Sequence, residues 1–284
     1  MVVAGSRSAR AVVLAVAAVL GLAASRPADA QHVLLQLRPH VGDTLHIRVD
    51  QEVDIAGRTA RPTGDSITSV TTTLFALARM IVAESDTGGS DLVVVVDSTA
   101  QSTIGGHPAR AADRAPSDVI GQPVHVRMAP DGVPEIADAG GSAGADLQGL
   151  LAGVPATLPR QPVTVGQAWE RTMAAAPVGA SPSRGTITLR FRLDSVSRRG
   201  DSAYVSVRGD LGRGRFGPSA SGATVTTWGT VVGTMLIDRR RGWMTDFHAV
   251  ISVHSVLTPS AGVEGTPGRL RMTITEWFRT VDRA

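Results

Sequence analysis

The 284-residue chain contains no cysteine, no lysine and no asparagine, and Tyr204 is its single tyrosine. Each absence removes chemistry. Without cysteine there is no disulfide, no thiolate nucleophile and no acylated cysteine of the bacterial lipoprotein kind. Without lysine there is neither a Schiff base nor a P-loop lysine. Aromatic residues make up only 4% of the chain, which disfavours the aromatic platforms of a sugar-binding surface. The interior has to be built from Val, Leu, Ile, Ala and Met.

Charge is also sparse. All 28 basic residues are arginine, set against 25 acids. Almost nothing titrates between His and Arg, so a small excess of arginine lifts the sequence pI to about 10.6 without making the protein strongly basic. The densest run, Arg239-Arg240-Arg241, stands before Gly242 and reads as a hairpin turn. Nucleic-acid binding, which needs charge clustered along one face, is not expected.

The first thirty residues read as an export signal. Arg7 and Arg10 precede an uncharged apolar run, Ala11 to Ala24, and Ala28-Asp29-Ala30 offers small residues for a signal peptidase. The run is shorter than the roughly 20 residues that span a bilayer, so cleavage is expected rather than a lasting membrane span. The expected organisation is residues 1–30 as signal peptide and 31–284 as one exported domain, periplasmic or extracellular. Such a domain is long enough to be held by its core alone.

Period-two alternation dominates beyond residue 40. In Leu45–Ile55 the odd positions are apolar except Gln51, and the even ones are polar or charged, as in a half-buried strand. The pattern returns in Ile187, Leu189, Phe191 and Leu193, and again in Leu270, Met272, Ile274 and Phe278. Hairpin turns are expected at Asp86–Ser90, Pro130-Asp131-Gly132, Ser197–Asp201 and Asp238–Gly242. About ten or eleven strands result, mostly antiparallel. The expected fold is all-β, a large curved sheet forming a half-barrel or barrel. One short helix over 143–153 is expected to cover it, from Leu147, Leu150, Leu151 and Val154 at i, i+3, i+4 and i+7.

Catalytic constellations are weak. Gly140-Gly141-Ser142-Ala143-Gly144 fits G-x-S-x-G, but the preceding residues make a poor strand, and Ser142 reads as a helix N-cap. His248 and His254 share a strand parity yet lie roughly 20 Å apart when extended, too far for one metal ion. Glu170 and Glu276, each beside a tryptophan, invite an acid pair, though the aromatic surroundings of a glycosidase are missing. No enzyme activity, cofactor or metal is expected.

Several segments carry a resemblance: Val41-Gly42-Asp43-Thr44-Leu45, the Asp86–Asp91 hairpin, Val126–Gly132, Val165-Gly166-Gln167-Ala168-Trp169, and the long strands around Asp238–Trp243. In this order they resemble secreted bacterial β-rich proteins distantly similar to lipoprotein-localisation factors and LppX-type half-barrel carriers. The resemblance implies a bent sheet whose hollow binds acyl chains under a helix. The expected function is a non-enzymatic carrier of an apolar, lipid-like ligand. Leu147, Leu150, Leu151 and Val154 would form the lid, and Val49, Leu189, Phe191 and Ile274 the lining. The alternative is a structural or interaction protein of the cell envelope. An outer-membrane barrel is disfavoured, because the wet faces carry charge and aromatic girdles are missing.

Overall fold

The alternating segments all become strands. The computed structural model describes residues 32–59, 66–105, 120–136, 158–174, 186–216, 223–259 and 267–281. The expected signal segment, the expected helix with its four apolar residues, and the Gly140–Gly144 motif lie outside the described residues. Eleven strands are described: β1 (Thr44–Thr59), β2 (Ser66–Ser85), β3 (Ser90–Gly105), β4 (Pro123–Met128), β5 (Pro134–Ile136), β6 (Ala168–Ala174), β7 (Thr186–Val196), β8 (Ser202–Phe216), β9 (Ala223–Asp238), β10 (Trp243–Pro259) and β11 (Gly268–Val281).

All eleven belong to one antiparallel sheet in the order β5-β4-β3-β2-β1-β11-β10-β9-β8-β7-β6. The first and last strands pair at its centre, from His46 opposite Val281 to Thr59 opposite Gly268. The short strands β5 and β6 form the edges, and they do not pair with each other. The sheet is therefore open rather than a closed barrel.

Expected turns mark one end of the sheet, here called proximal. Asp86 accepts hydrogen bonds from the Gly88 and Gly89 amides at 2.7 and 2.9 Å, and Asp238 accepts from those of Arg240 and Arg241. Both are Asx turns, in which a short carboxylate mimics the backbone. Gly132, with φ 87°, closes the turn after Pro130.

The sheet curls so far that segments beside its two edges meet at this end. The Leu158 amide donates to the Asp131 carbonyl at 2.7 Å, and Arg160 donates to the Asp131 carboxylate at 3.1 Å. Small residues on the inner face permit the bend. A Cβ on Gly229 or Gly233 of β9 would run into the β10 backbone at Ser252 or His248.

A strap over residues 33–39, which sequence periodicity beyond residue 40 does not reveal, fills the proximal hollow. Its amides reach Val163, Pro130 and Gly242 at 2.7–2.9 Å, so it crosses from one side of the sheet to the other. Val33, Leu35 and Leu37 point into the core and are at most 2% exposed, while Leu34 faces outward. Gly242 has φ 60°, and any Cβ there would strike the Arg38 backbone. The core beneath the strap runs from Val124 and Val126 on β4 to Leu193 on β7, with Ile47, Phe247, Met235 and Phe278 between them.

Candidate functional site

The inner face has two parts, separated by register. One row across the sheet holds Val49, Phe278, Phe247, Met235, Val205 and Leu193, and apart from half-buried Val49 these residues are closed off from solvent. Two rows farther out, beyond the row of Gln51 and Glu276, Val53 lies opposite Ile274 and Ile274 opposite Ile251, and all three are half-buried. Val70, Leu74, Ile55 and Leu270 keep the apolar parity towards the distal end and are likewise half-buried. Within this part Met272, opposite Ile55, and its other partner Val253 are buried. The apolar face thus continues past the strap-filled region, and on the β1, β2 and β11 side it is only partly covered.

Glu276 stands between these parts. It occupies the apolar parity of β11, directly opposite Gln51 on β1 and Ala249 on β10. Only 2% of it is exposed, and its Oε2 has no hydrogen-bond partner among the described residues. Burial alone pushes its pKa from 4.5 up to about 7. Near neutral pH the group is therefore poised between a carboxylic acid, with one O–H to donate, and a carboxylate that only accepts. The inner face is consequently an apolar surface carrying one titratable carboxyl with a neutral amide side chain opposite. That composition suits an amphiphile.

The structure places the sequence-derived lining residues unequally. Leu189 and Phe191 are fully buried on β7, and Phe191 stacks on Trp169 at 5.6 Å, so both belong to the filled core. Val49 packs against that core, while Ile274 lies on the half-buried part. The four lid residues lie outside the described residues. Glu170 is exposed on the outer face, and Glu276 is buried on the inner one, so the two do not form an acid pair. His248 and His254 stack on Trp277 and Trp228 at 5.1 and 5.8 Å on the outer face. Among the described residues no group of three acids or histidines is placed to hold a metal.

Glu276 was legible as an exception to the pattern. Two polar residues break the apolar parity of their strands, Gln51 in β1 and Glu276 in β11, and the register sets them opposite each other.

Two further hollows lie at the two ends of the sheet. An open cleft of about 1060 Å³ at the proximal rim is lined by His40, Asp43, His46, Asp201, Asp238 and Arg240 among others. Its Asp201 is held below the usual carboxylate range, first by the Ser197 hydroxyl. A groove of about 590 Å³ at the distal end brings together Arg58, Ile67, Trp228, His254, Arg269 and Arg271.

No family model and no curated protein sequence matches this chain. Among solved structures it is similar to lipovitellin, from a study of lipid–protein interactions, at 9% identity and a TM-score of 0.46. That likeness covers 86% of this chain but 26% of the other, so the chain spans about a quarter of its length. An outer membrane channel from Pseudomonas putida F1 is similar at 10% identity and a TM-score of 0.25, covering 90% of this chain and all of that one. DynF, from the dynemicin pathway of Micromonospora chersina, gives 9% identity and a TM-score of 0.17 over 90% of this chain and 88% of its own. At these TM-scores the site stands on its own geometry. No helix among the described residues is long and apolar enough to cross a membrane.

Proposed function

We propose that this is an exported, non-enzymatic protein that holds an apolar, lipid-like ligand against the inner face of its sheet. The observation behind this reading is the half-buried apolar surface of Val53, Ile55, Leu74, Ile274 and Leu270, continuous with the core yet beyond the strap. A structural sheet has no need of apolar parity where the described residues leave the surface partly open. Each methylene laid on that surface contributes about 0.8 kcal/mol, so an acyl chain of ordinary length would be retained. Glu276, with Gln51 opposite, supplies the hydrogen-bonding group for the polar end of such a ligand.

Native mass spectrometry of the protein after expression in bacteria is expected to show co-purified lipid. After delipidation it is expected to take up a fluorescent fatty acid saturably, and Val53→Arg should abolish uptake while the thermal melt stays cooperative. Delipidated protein that takes up no fatty acid overturns the carrier reading and leaves a structural role in the cell envelope.

A further inference from the structure

At the distal end of the outer face several cationic side chains gather around one groove. Among the described residues over the rest of the sheet several arginines are matched by an acid, Arg48 with Asp50 at 2.7 Å, Arg79 with Asp97 at 2.9 Å, Arg127 with Asp91 at 2.9 Å and Arg279 with Asp246 at 3.5 Å, whereas Arg190 and Arg208, opposite each other on β7 and β8, are not. At the distal end Arg213, Arg269 and Arg271 make no ion pair with any acid among the described residues. Arg269 instead lies directly opposite Arg58, and Arg271 opposite His254.

These charges frame the 590 Å³ groove, which has a mostly apolar floor. Trp228 lies in it with one guanidinium, that of Arg213, 5.1 Å from its ring centre and with His254 stacked at 5.8 Å. At its rim Ile67 is 74% exposed, a large apolar side chain in water beside a cationic cluster. Guanidinium forks recognise phosphate oxygens, tryptophan favours the bilayer interface, and an exposed isoleucine gains by entering it.

We propose that this distal outer patch docks on anionic phospholipid headgroups, with Arg213, Arg269 and Arg271 facing the phosphates and Ile67 entering the bilayer interface. The inference is independent of the ligand reading above. A polynucleotide fits the surface less well. It needs a basic track with repeated stacking platforms, whereas the outer face leading away from the patch along β1 carries Asp50, Glu52 and Asp54. Each basic residue near an anionic surface contributes about 1 kcal/mol, or roughly fivefold in affinity.

The test is binding to vesicles of phosphatidylcholine mixed with phosphatidylglycerol, against vesicles of phosphatidylcholine alone, using the protein as isolated from cells. Binding to the mixed vesicles only is expected, weakened by salt and lowered roughly thirtyfold by the double variant Arg269→Ser/Arg271→Ser. Arg279→Ser, at a matched pair elsewhere on the same face, should leave it unchanged. Arg213→Glu tests the patch separately should the double variant fail to fold. Equal binding to both vesicle types overturns the proposal, as does undiminished binding by the folded patch variants. So does release by inorganic phosphate at matched ionic strength, which indicates a free-anion site, or tighter retention by a single-stranded oligonucleotide.

Discussion

On β1, Ile47 meets the strap-filled core and is 1% exposed, whereas Ile55, eight residues along the same strand and on the same face, is only half-buried. The two positions have the same residue type, parity and strand neighbours, β2 and β11. They differ in what lies above them. The proximal inner face is covered by residues 33–39 and by the segment around Leu158, both fixed to the sheet by backbone hydrogen bonds. Alternation decides which way a side chain points, and a separate piece of chain decides whether it is sealed from water. The same contrast separates the fully buried Phe247 from Ile251 on β10.

The largest effect expected is at the sealed end. Ile47→Asp places an unpaired charge in a closed core and should cost several kcal/mol, about 4 or more, in thermal or urea unfolding. Ile55→Asp should cost about 1 kcal/mol, because water reaches the half-buried site and solvates the carboxylate. Equal losses from the two variants would show that the distal face is as closed as the proximal one.

Next comes the boundary between the two ends. The folded-state pKa of Glu276 is raised, so between pH 4.5 and about 7 the folded protein holds a proton that the unfolded chain has released. Stability should therefore fall as pH rises through that window, with the full penalty present above it. At about 1.4 kcal/mol per unit the loss is on the order of 3 kcal/mol. Glu276→Gln should flatten that part of the pH profile and raise stability most at pH 8, measured by urea unfolding at several pH values. A profile that keeps its slope in the variant would assign the effect to another group. A bound lipid that satisfies the carboxyl would reduce the slope in the undelipidated protein.

The smallest effect belongs to the outer face, where neither end is sealed. Arg48 donates to Asp50 at 2.7 and 2.9 Å and lies 5.0 Å from the Phe75 ring centre, all of it in contact with solvent. Arg48→Ser should change stability by about 0.5 kcal/mol or less. A thermal melt suffices to check this, and a larger loss would mean that the outer face contributes to the core.

Much of the architecture was legible in the sequence because strand periodicity and turn chemistry act locally. Leu45–Ile55, Ile187–Leu193 and Leu270–Phe278 became β1, β7 and β11, and the glycine- and aspartate-marked turns fell where expected. The strap was missed because its apolar residues, Val33, Leu35 and Leu37, form too short a run to identify a strand. It pairs with loops, at Val163, Pro130 and Gly242, rather than with a neighbouring strand. The lining set was divided for a related reason. Leu189 and Phe191 have the same periodicity as Ile274, but they sit beneath filled core and Ile274 does not.

The β character of the described residues, which of them face inward, where the proximal hairpins turn, and the exclusion of cysteine and lysine chemistry were all readable along the chain. These follow from side-chain alternation, turn propensities and composition, none of which depends on distant residues. Long-range packing, by contrast, keeps the sheet open, pairs β1 with β11 at its centre and lays the strap over one end. It also decided that Gln51 and Glu276, 225 positions apart in the numbering, stand opposite each other on the inner face. Those outcomes depend on register and curl, which arise when strands far apart in sequence compete to bury the same surface. The Glu276 Oε2 is consequently left without a hydrogen-bond partner among the described residues, where the filled part of the face gives way to the partly open one.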